Sequence, residues 1–507
     1  MNPLSRMLTL HPQDNVAVAL ADISVGETDN IAGVKALQAV KQGHKIAVKP
    51  IAAGQNVLRY GQTIGQATAD IAAGEHVHVQ NLGMGEHTSD YAHATEAKLL
   101  LASPDVRTFN GYHRADRSVG TRNYLGILTS VNCSGSVAKF IAEAAEKSGL
   151  LDDFPNIDGI VPITHGTGCG MSGENEGYDT LFRTLSGYAQ HPNFGGILLI
   201  GLGCEVMQVS ALVAGRPIRA DGALRYMTIQ QEGGTRMTIE KGLAELRSIA
   251  EIANNATRQP APVSELMVGM QCGGSDGYSG ITANPALGVA SDLVVRHGGT
   301  TILSETSEIY GAEHLLTRRA ATVEVGEKLI DRVRWWEDYT ARNKGKMDNN
   351  PSPGNKRGGL TTILEKSLGA VAKSGSAPLT AVYLFAEKID KKGFVFMDSP
   401  GFDPCSVTGQ IASGANLIVF TTGRGSVSGY MPTPCIKIAT NSEMYAHMSD
   451  DMDINCGDIV SDGVSLEEKG SEIFEMFIRI ASGEQTKSED LGFGGVEFVP
   501  WQIGAVM

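Results

Sequence analysis

From about residue 112 onward the sequence alternates short apolar runs with longer amphipathic ones, and nothing else narrows the fold as much. Residues 124–128 read as a strand, and 137–148 as a helix with apolar residues at roughly helical spacing. Further strands are expected at 159–163, 196–200, 224–229, 266–270, 300–303, 379–385, 393–397 and 416–420, with a long helix over 322–343. Alternation at this spacing predicts an α/β fold with a largely parallel sheet. A stretch rich in Asn, Thr and Pro at 254–262 divides the region into 112–255 and 263–507. Upstream, residues 1–95 read as a small β-rich unit, with strands at 16–20 and 46–48 and turns at Gly43, Gly54, Gly61 and Gly74. A short helix at 96–101 and a connector over 104–111 are expected to join the two.

Composition fits a globular protein with ample core. Of 507 residues, 42% are hydrophobic, and the formal charge of −14 argues against nucleic acid or an anionic membrane as the main partner. The longest apolar runs fall far short of the ~20 residues of a membrane span. The N-terminal residues 1–6 show no apolar signal core, so a cytoplasmic location is expected. Seven cysteines, an odd number in a long chain, do not suggest a disulfide framework. Cys133, Cys169, Cys204 and Cys272 sit in Gly- or Ser-rich turns, whereas Cys435 lies in an apolar, strand-like run.

Ligands of open parallel sheets bind beyond the carboxyl ends of the strands. Just past the predicted strands lie His165 and Cys169, Cys204 and Glu205, Cys272 with Ser275 and Asp276, the run Ser304–Glu308, and Arg424 between two glycines. Metal ligands and anion binders thus recur at one edge. Gly201-Leu202-Gly203 lacks the third glycine of a dinucleotide fingerprint, which disfavours a nicotinamide site. In the β-rich unit, His76 and His78 would share one face of an extended segment, as a common metal requires, and His44 is a candidate third nitrogen. The alternative is a strand edge with two solvated histidines. The segment 349–359 places Lys356 and Arg357 on a Gly/Pro-rich turn suited to a carboxylate, or forms a solvated connector. Arg424 suits bidentate carboxylate recognition.

Several stretches closely resemble the altronate/galactarate dehydratase family: residues 42–45, 74–78, 118–123, 201–205, 272–285, 350–359 and 422–425. The segment 272–285 is the most specific, and the likeness spans essentially the whole chain. It implies a SAF-type β domain at 1–95 joined to a large dehydratase region in two parts. It also implies a hydro-lyase converting a sugar acid to a 2-keto-3-deoxy product with a divalent metal, Fe(II) foremost and Mn(II) or Zn(II) as alternatives.

On that resemblance, catalytic roles are expected of His165, Glu205, Asp276 and Lys356. Substrate contacts are expected of Arg122, Ser275, Asn284, Asn355, Lys356 and Arg424, and metal ligation of His76, His78, Cys169, Cys204 and Cys272. Those sulfur, imidazole and guanidinium groups are expected to line a common cavity, although one ion takes only about four to six ligands. The histidine stretch favours D-altronate, while residues 268–272 and 290–293 look closer to the galactarate branch. The expected partners are a small sugar acid and a second copy of the chain in a homodimer. The competing readings are a nicotinamide-dependent oxidoreductase and a non-catalytic sugar-acid sensor.

Overall fold

The structure is a computed structural model describing residues 6–29, 33–85, 90–214 and 223–504. The N-terminal unit is made of short antiparallel strands. β1 (Met7–Leu8), β2 (Val16–Ala19), β3 (Lys45–Ala47) and β4 (His76–Val77) form one sheet in that order. A second sheet joins Asn56–Arg59, Gln62–Ala67 and Leu82–Gly83. Small aliphatic residues let such short strands close a core: Val16, Ala17, Ile46, Val57, Ile64 and Val77 are all buried.

The helix expected at 96–101 does not form. Six residues are too few to be helical without tertiary support, and Leu99 and Leu101 point into solvent. The backbone nearby docks instead, with Ala94 N–H donating to Thr317 O at 2.9 Å and Glu96 N–H to Arg318 O at 2.7 Å.

The first α/β part carries a four-stranded parallel sheet of β5 (Tyr124–Thr129), β6 (Gly159–Ile163), β7 (Phe194–Gly201) and β8 (Leu224–Thr228), in spatial order β6-β5-β7-β8. α1 (Gly135–Lys147) and α3 (Thr235–Ala253) cover one face through Ile141, Leu246 and Ile249. α2 (Glu176–Ala189) covers the other. The stretch at 254–262 is more than a divider: Gln259–Pro262 pairs antiparallel with Thr108–His113, tying the two parts together.

The second part holds seven parallel strands: β9 (Met267–Cys272), β10 (Thr300–Leu303), β11 (Leu379–Tyr383), β12 (Gly393–Met397), β13 (Leu417–Thr422), β14 (Cys435–Ala439) and β15 (Ile454–Asn455). Their spatial order is β11-β12-β10-β9-β13-β14-β15, with β9 at the centre. Nearly all their residues are buried, which explains why these strands read as continuous apolar runs rather than alternating ones. α4 (Ala283–Arg296) and α8 (Leu466–Ala481) pack together on one side, while α7 (Asp403–Ser413) meets α2 on the other. α5 (Val323–Arg342) and α6 (Ile363–Val371) complete the part. No described helix is long and apolar enough to cross a membrane.

The β-rich unit is keyed into the second part. Gly277 and Gly359 both press on the carbonyl of Gly43, where a side chain on either would collide. Behind that turn Lys45 and Arg59 both reach Glu365 on α6 with essentially no solvent exposure.

Candidate functional site

The docked turn 42–45 carries His44 to the start of β3, and β4 lies beside β3, so His76 and His78 arrive alongside it. The metal-ligating atoms of His44, His76 and His78 lie within 4.8 Å of one another, and among the described residues no other group of three or more His, Cys, Asp or Glu side chains comes together this way. His76 and His78 stack with ring centroids 5.4 Å apart, as the shared face of an extended segment predicts. His44 Nδ1 is 3.0 Å from His76 Nε2, and His44 Nε2 is 3.2 Å from the carbonyl of Arg357.

These imidazoles fit a metal. A carbonyl partner on His44 Nε2 fixes its proton there and turns the Nδ1 lone pair toward the other rings. His78 Nδ1 is buried without a hydrogen-bond partner. Burial, reinforced by neighbouring cations, pulls His76 down to about 4 and His78 to about 3, so both are neutral and able to donate a lone pair near neutral pH. Three nitrogens suit Fe(II), Zn(II) or Mn(II) better than Mg(II).

Arg357, whose carbonyl meets His44, also lines a cavity of about 810 Å³ together with Gly43, Asp276, Gly358, Arg424 and Asn441 among others; none of the three imidazoles is itself in its wall. Asp276, just past the central strand β9, is buried, and burial raises its carboxyl above the ordinary range. Hydrogen bonds from Thr440, Ser279 and Asn441 oppose that rise and hold the carboxylate in place. Only a glycine fits at position 423, since a Cβ there would overlap the carboxylate.

Under the cavity, Ser275, Asn284 and Asn355 are buried supports rather than lining groups. Ser275 Oγ is 2.8 Å from Cys272 Sγ, Asn355 Nδ2 donates to Ser275 O at 2.8 Å, and Asn284 bridges Gly369 O and Thr421 Oγ1. Lys356 does not line the cavity; its neighbour Arg357 does.

The remaining expected residues lie elsewhere. His165 is buried with Nε2 3.0 Å from Thr129 O, and burial pulls it down to about 4. Glu205 accepts hydrogen bonds from Ser130 Oγ and the Gly203 amide, holding its own loop. Arg122 is saturated by Glu489, Ile480 O and Glu484 O, so it is a clamp between segments and not a substrate contact. Cys169 and Cys204 are exposed beyond the four-stranded sheet, and Cys272 is buried at the end of β9 in the seven-stranded one. The expected gathering of thiols with imidazoles therefore does not occur, because the sulfurs belong to different sheets. Residues 112–255 contribute nothing to the cavity wall.

A second group of charges draws on the run Ser304–Glu308. Past β10 the carboxyls Glu305 and Glu308 are buried with Lys366 and Lys373, and Asp403 at the start of α7 is half-buried near them. Glu308 binds Lys366 Nζ at 2.6 Å and Asn350 Nδ2 at 2.8 Å. Burial together with Glu308 pushes Asp403 up to about 6. The segment 350–359 thus runs from this nest to the imidazoles. The run Ser304–Glu308, singled out in the sequence by its position past a strand, supplies two of these carboxylates, whereas Asp403 carries no such signal.

Three family models match the chain in succession: the altronate/galactarate dehydratase SAF domain over residues 5–85, the D-galactarate dehydratase/altronate hydrolase second domain over 111–254, and the D-galactarate/altronate dehydratase C-terminal domain over 263–506. Altronate dehydratase of Bacillus subtilis (strain 168) is 35% identical over 496 residues, covering 97% of this chain and 98% of that one. The chain belongs to the altronate/galactarate dehydratase family. It is a hydro-lyase, with two further relatives from Escherichia coli (strain K12) of the same kind. Galactarate dehydratase (L-threo-forming) is 38% identical over 500 residues, with 96% and 95% covered. Altronate dehydratase is 37% identical over 486 residues, with 95% and 96% covered.

Proposed function

We propose that this chain dehydrates a six-carbon sugar acid, D-altronate foremost, to the 2-keto-3-deoxy acid, with a divalent metal held by His44, His76 and His78. The observation that carries the reading is the juxtaposition of three neutral imidazoles with a cavity walled by Arg357, Arg424 and a buried carboxylate. A cavity of about 810 Å³ is ample for a hexonate.

The reaction breaks C2–H and C3–O, forms C2=C3 and releases water, and the resulting enol ketonises at C2. The proton beside a carboxylate is weakly acidic, so its removal needs a base and cationic stabilisation of the enolate. Asp276 takes that proton, and its raised carboxyl makes it a stronger base than an ordinary aspartate. Arg357 and Arg424 grip the carboxylate and offset the charge that develops on it. When bound, a divalent ion supplies Lewis acidity that helps hydroxide leave. His44, His76 and His78 hold that ion at the cavity edge, with Arg357 O orienting His44.

A second reading rests on the same pair of guanidinium groups, which accommodate a diacid as readily as a monoacid: galactarate. The deciding experiment is a panel of aldonic and aldaric acids scored for 2-keto acid, before and after metal removal. Product from altronate, lost on chelation and restored by Fe(II), is expected. No 2-keto acid from any member, or turnover undiminished after confirmed metal removal, contradicts the proposal.

A further inference from the structure

Seven free cysteines divide sharply by environment: Cys272, Cys405, Cys435 and Cys456 are buried, whereas Cys133, Cys169 and Cys204 are exposed. The exposed three are not scattered. Each follows one of the three adjacent strands β6, β5 and β7, past its carboxyl end, in a sheet whose strands lie about 4.8 Å apart. Their loops are also bonded to one another. Asn132 N–H donates to Thr167 O at 2.9 Å, and Ser134 Oγ to Ile200 O at 3.0 Å, so Cys133 is anchored to both neighbouring strand ends. Met207 N–H donates to Gly168 O at 3.1 Å, joining the Cys169 and Cys204 loops. Ser130 Oγ donates to Glu205 at 2.7 Å, joining those of Cys133 and Cys204.

The loops are fitted, not loose. Gly168 has φ +99° and presses on Ser130 O, so no side chain fits there, and Gly203, just before Cys204, has φ +125°. Buried His165 braces the Cys169 loop by accepting from Thr167 N–H at 3.3 Å while its Nε2 meets Thr129 O. Effort of this kind to present three solvent-facing thiols, none of which is hydrogen-bonded among the described residues, has no structural return, because exposed thiols are oxidation liabilities. Coordination removes that liability. The three sulfurs do not form a group close enough for one ion, the test that His44, His76 and His78 meet. A polynuclear centre spans thiolates set further apart.

We propose that Cys133, Cys169 and Cys204 bind a cubane iron–sulfur cluster at the carboxyl edge of the four-stranded sheet. Four thiolates complete an ordinary cluster of this kind. Three leave one iron without a protein ligand, open to a solvent or hydroxy-acid oxygen. This gives residues 112–255, which contribute nothing to the cavity described above, a chemical role of their own.

The test is anaerobic reconstitution of the full chain with equal amounts of Fe(II) and Fe(III) and with sulfide, so that the core assembles without a further oxidant, read by visible absorption and by iron and acid-labile sulfide content. The proposal expects a broad sulfide-to-iron charge-transfer band and about four irons and four sulfides per chain. Cys133→Ser, Cys169→Ser and Cys204→Ser should each lose most of the band while keeping the far-ultraviolet circular dichroism of the parent. Cys272→Ser and the His76→Ala/His78→Ala pair should keep it, which separates this site from the imidazole one. No chromophore on reconstitution, a single thiolate-bound ion without sulfide, or a band that survives the three exposed-cysteine variants overturns the proposal.

Discussion

Lys45 Nζ lies 2.9 Å from a carboxylate oxygen of Glu365, and neither side chain has any solvent exposure. Arg59 reaches the same carboxylate and also donates to Gly277 O at 2.8 Å. A charge inside a protein is tolerated only when paired and hydrogen-bonded. This triad therefore locks the β-rich unit in the one position that sets His44 against Arg357 O.

Glu365→Gln should cost about 3–5 kcal/mol, because it strands two buried cations. Burial alone would raise the Glu365 carboxyl, but Lys45 and Arg59 outweigh it and hold it at about 2. A carboxyl depressed on folding contributes stability that is full above its unfolded value near 4.5 and is lost as pH falls toward 2. Denaturation by urea at a series of pH values should show the parent losing this margin across that window and the variant lacking it.

Asp276→Asn should lower kcat by about a hundred- to ten-thousandfold, the usual worth of a positioned base. The parent's rate should rise with pH through an inflection above the ordinary aspartate range, because burial raises this carboxyl and only its ionised form accepts a proton. A pH–rate profile of the variant's residual activity should lack that limb.

Arg424→Lys should raise KM roughly tenfold or more while leaving the fold intact. A lysine keeps the charge but loses the planar pair of donors that matches a carboxylate. Steady-state kinetics together with thermal melting separate the two effects.

Arg122→Ala should do the reverse. Its guanidinium meets Glu489 at 2.6 and 2.8 Å and caps three carbonyls, so its loss should cost about 3–5 kcal/mol of stability. KM of the protein that remains folded should be unchanged.

The contrast between Arg122 and Arg424 marks what a sequence of this kind discloses. The strands at 300–303 and 393–397 form where their apolar runs stand, because a strand buried on both faces has no periodicity to misread. Arg424 is legible because it follows a strand between two glycines. Arg122 carries the same side chain, yet its role depends on Glu489, 367 residues away, a pairing no local pattern announces. His76 and His78 declare a shared face through their spacing alone. The third nitrogen, His44, stands in the sequence only as a candidate, and it is the β3–β4 pairing that brings it beside them. The thiols mislead for the opposite reason: past-the-strand position is common to two sheets, and only the topology separates Cys272 from Cys169 and Cys204.

The proposed dehydration depends above all on an ion held by His44, His76 and His78. Mn(II), which thiolates attract weakly, isolates that site when binding is followed by electron paramagnetic resonance in the parent and in His76→Ala/His78→Ala, with 2-keto acid formation measured on the same samples. A single tight Mn(II) supporting turnover is expected in the parent, and loss of both in the variant. Unaltered Mn(II) affinity and turnover in the variant would contradict the proposal.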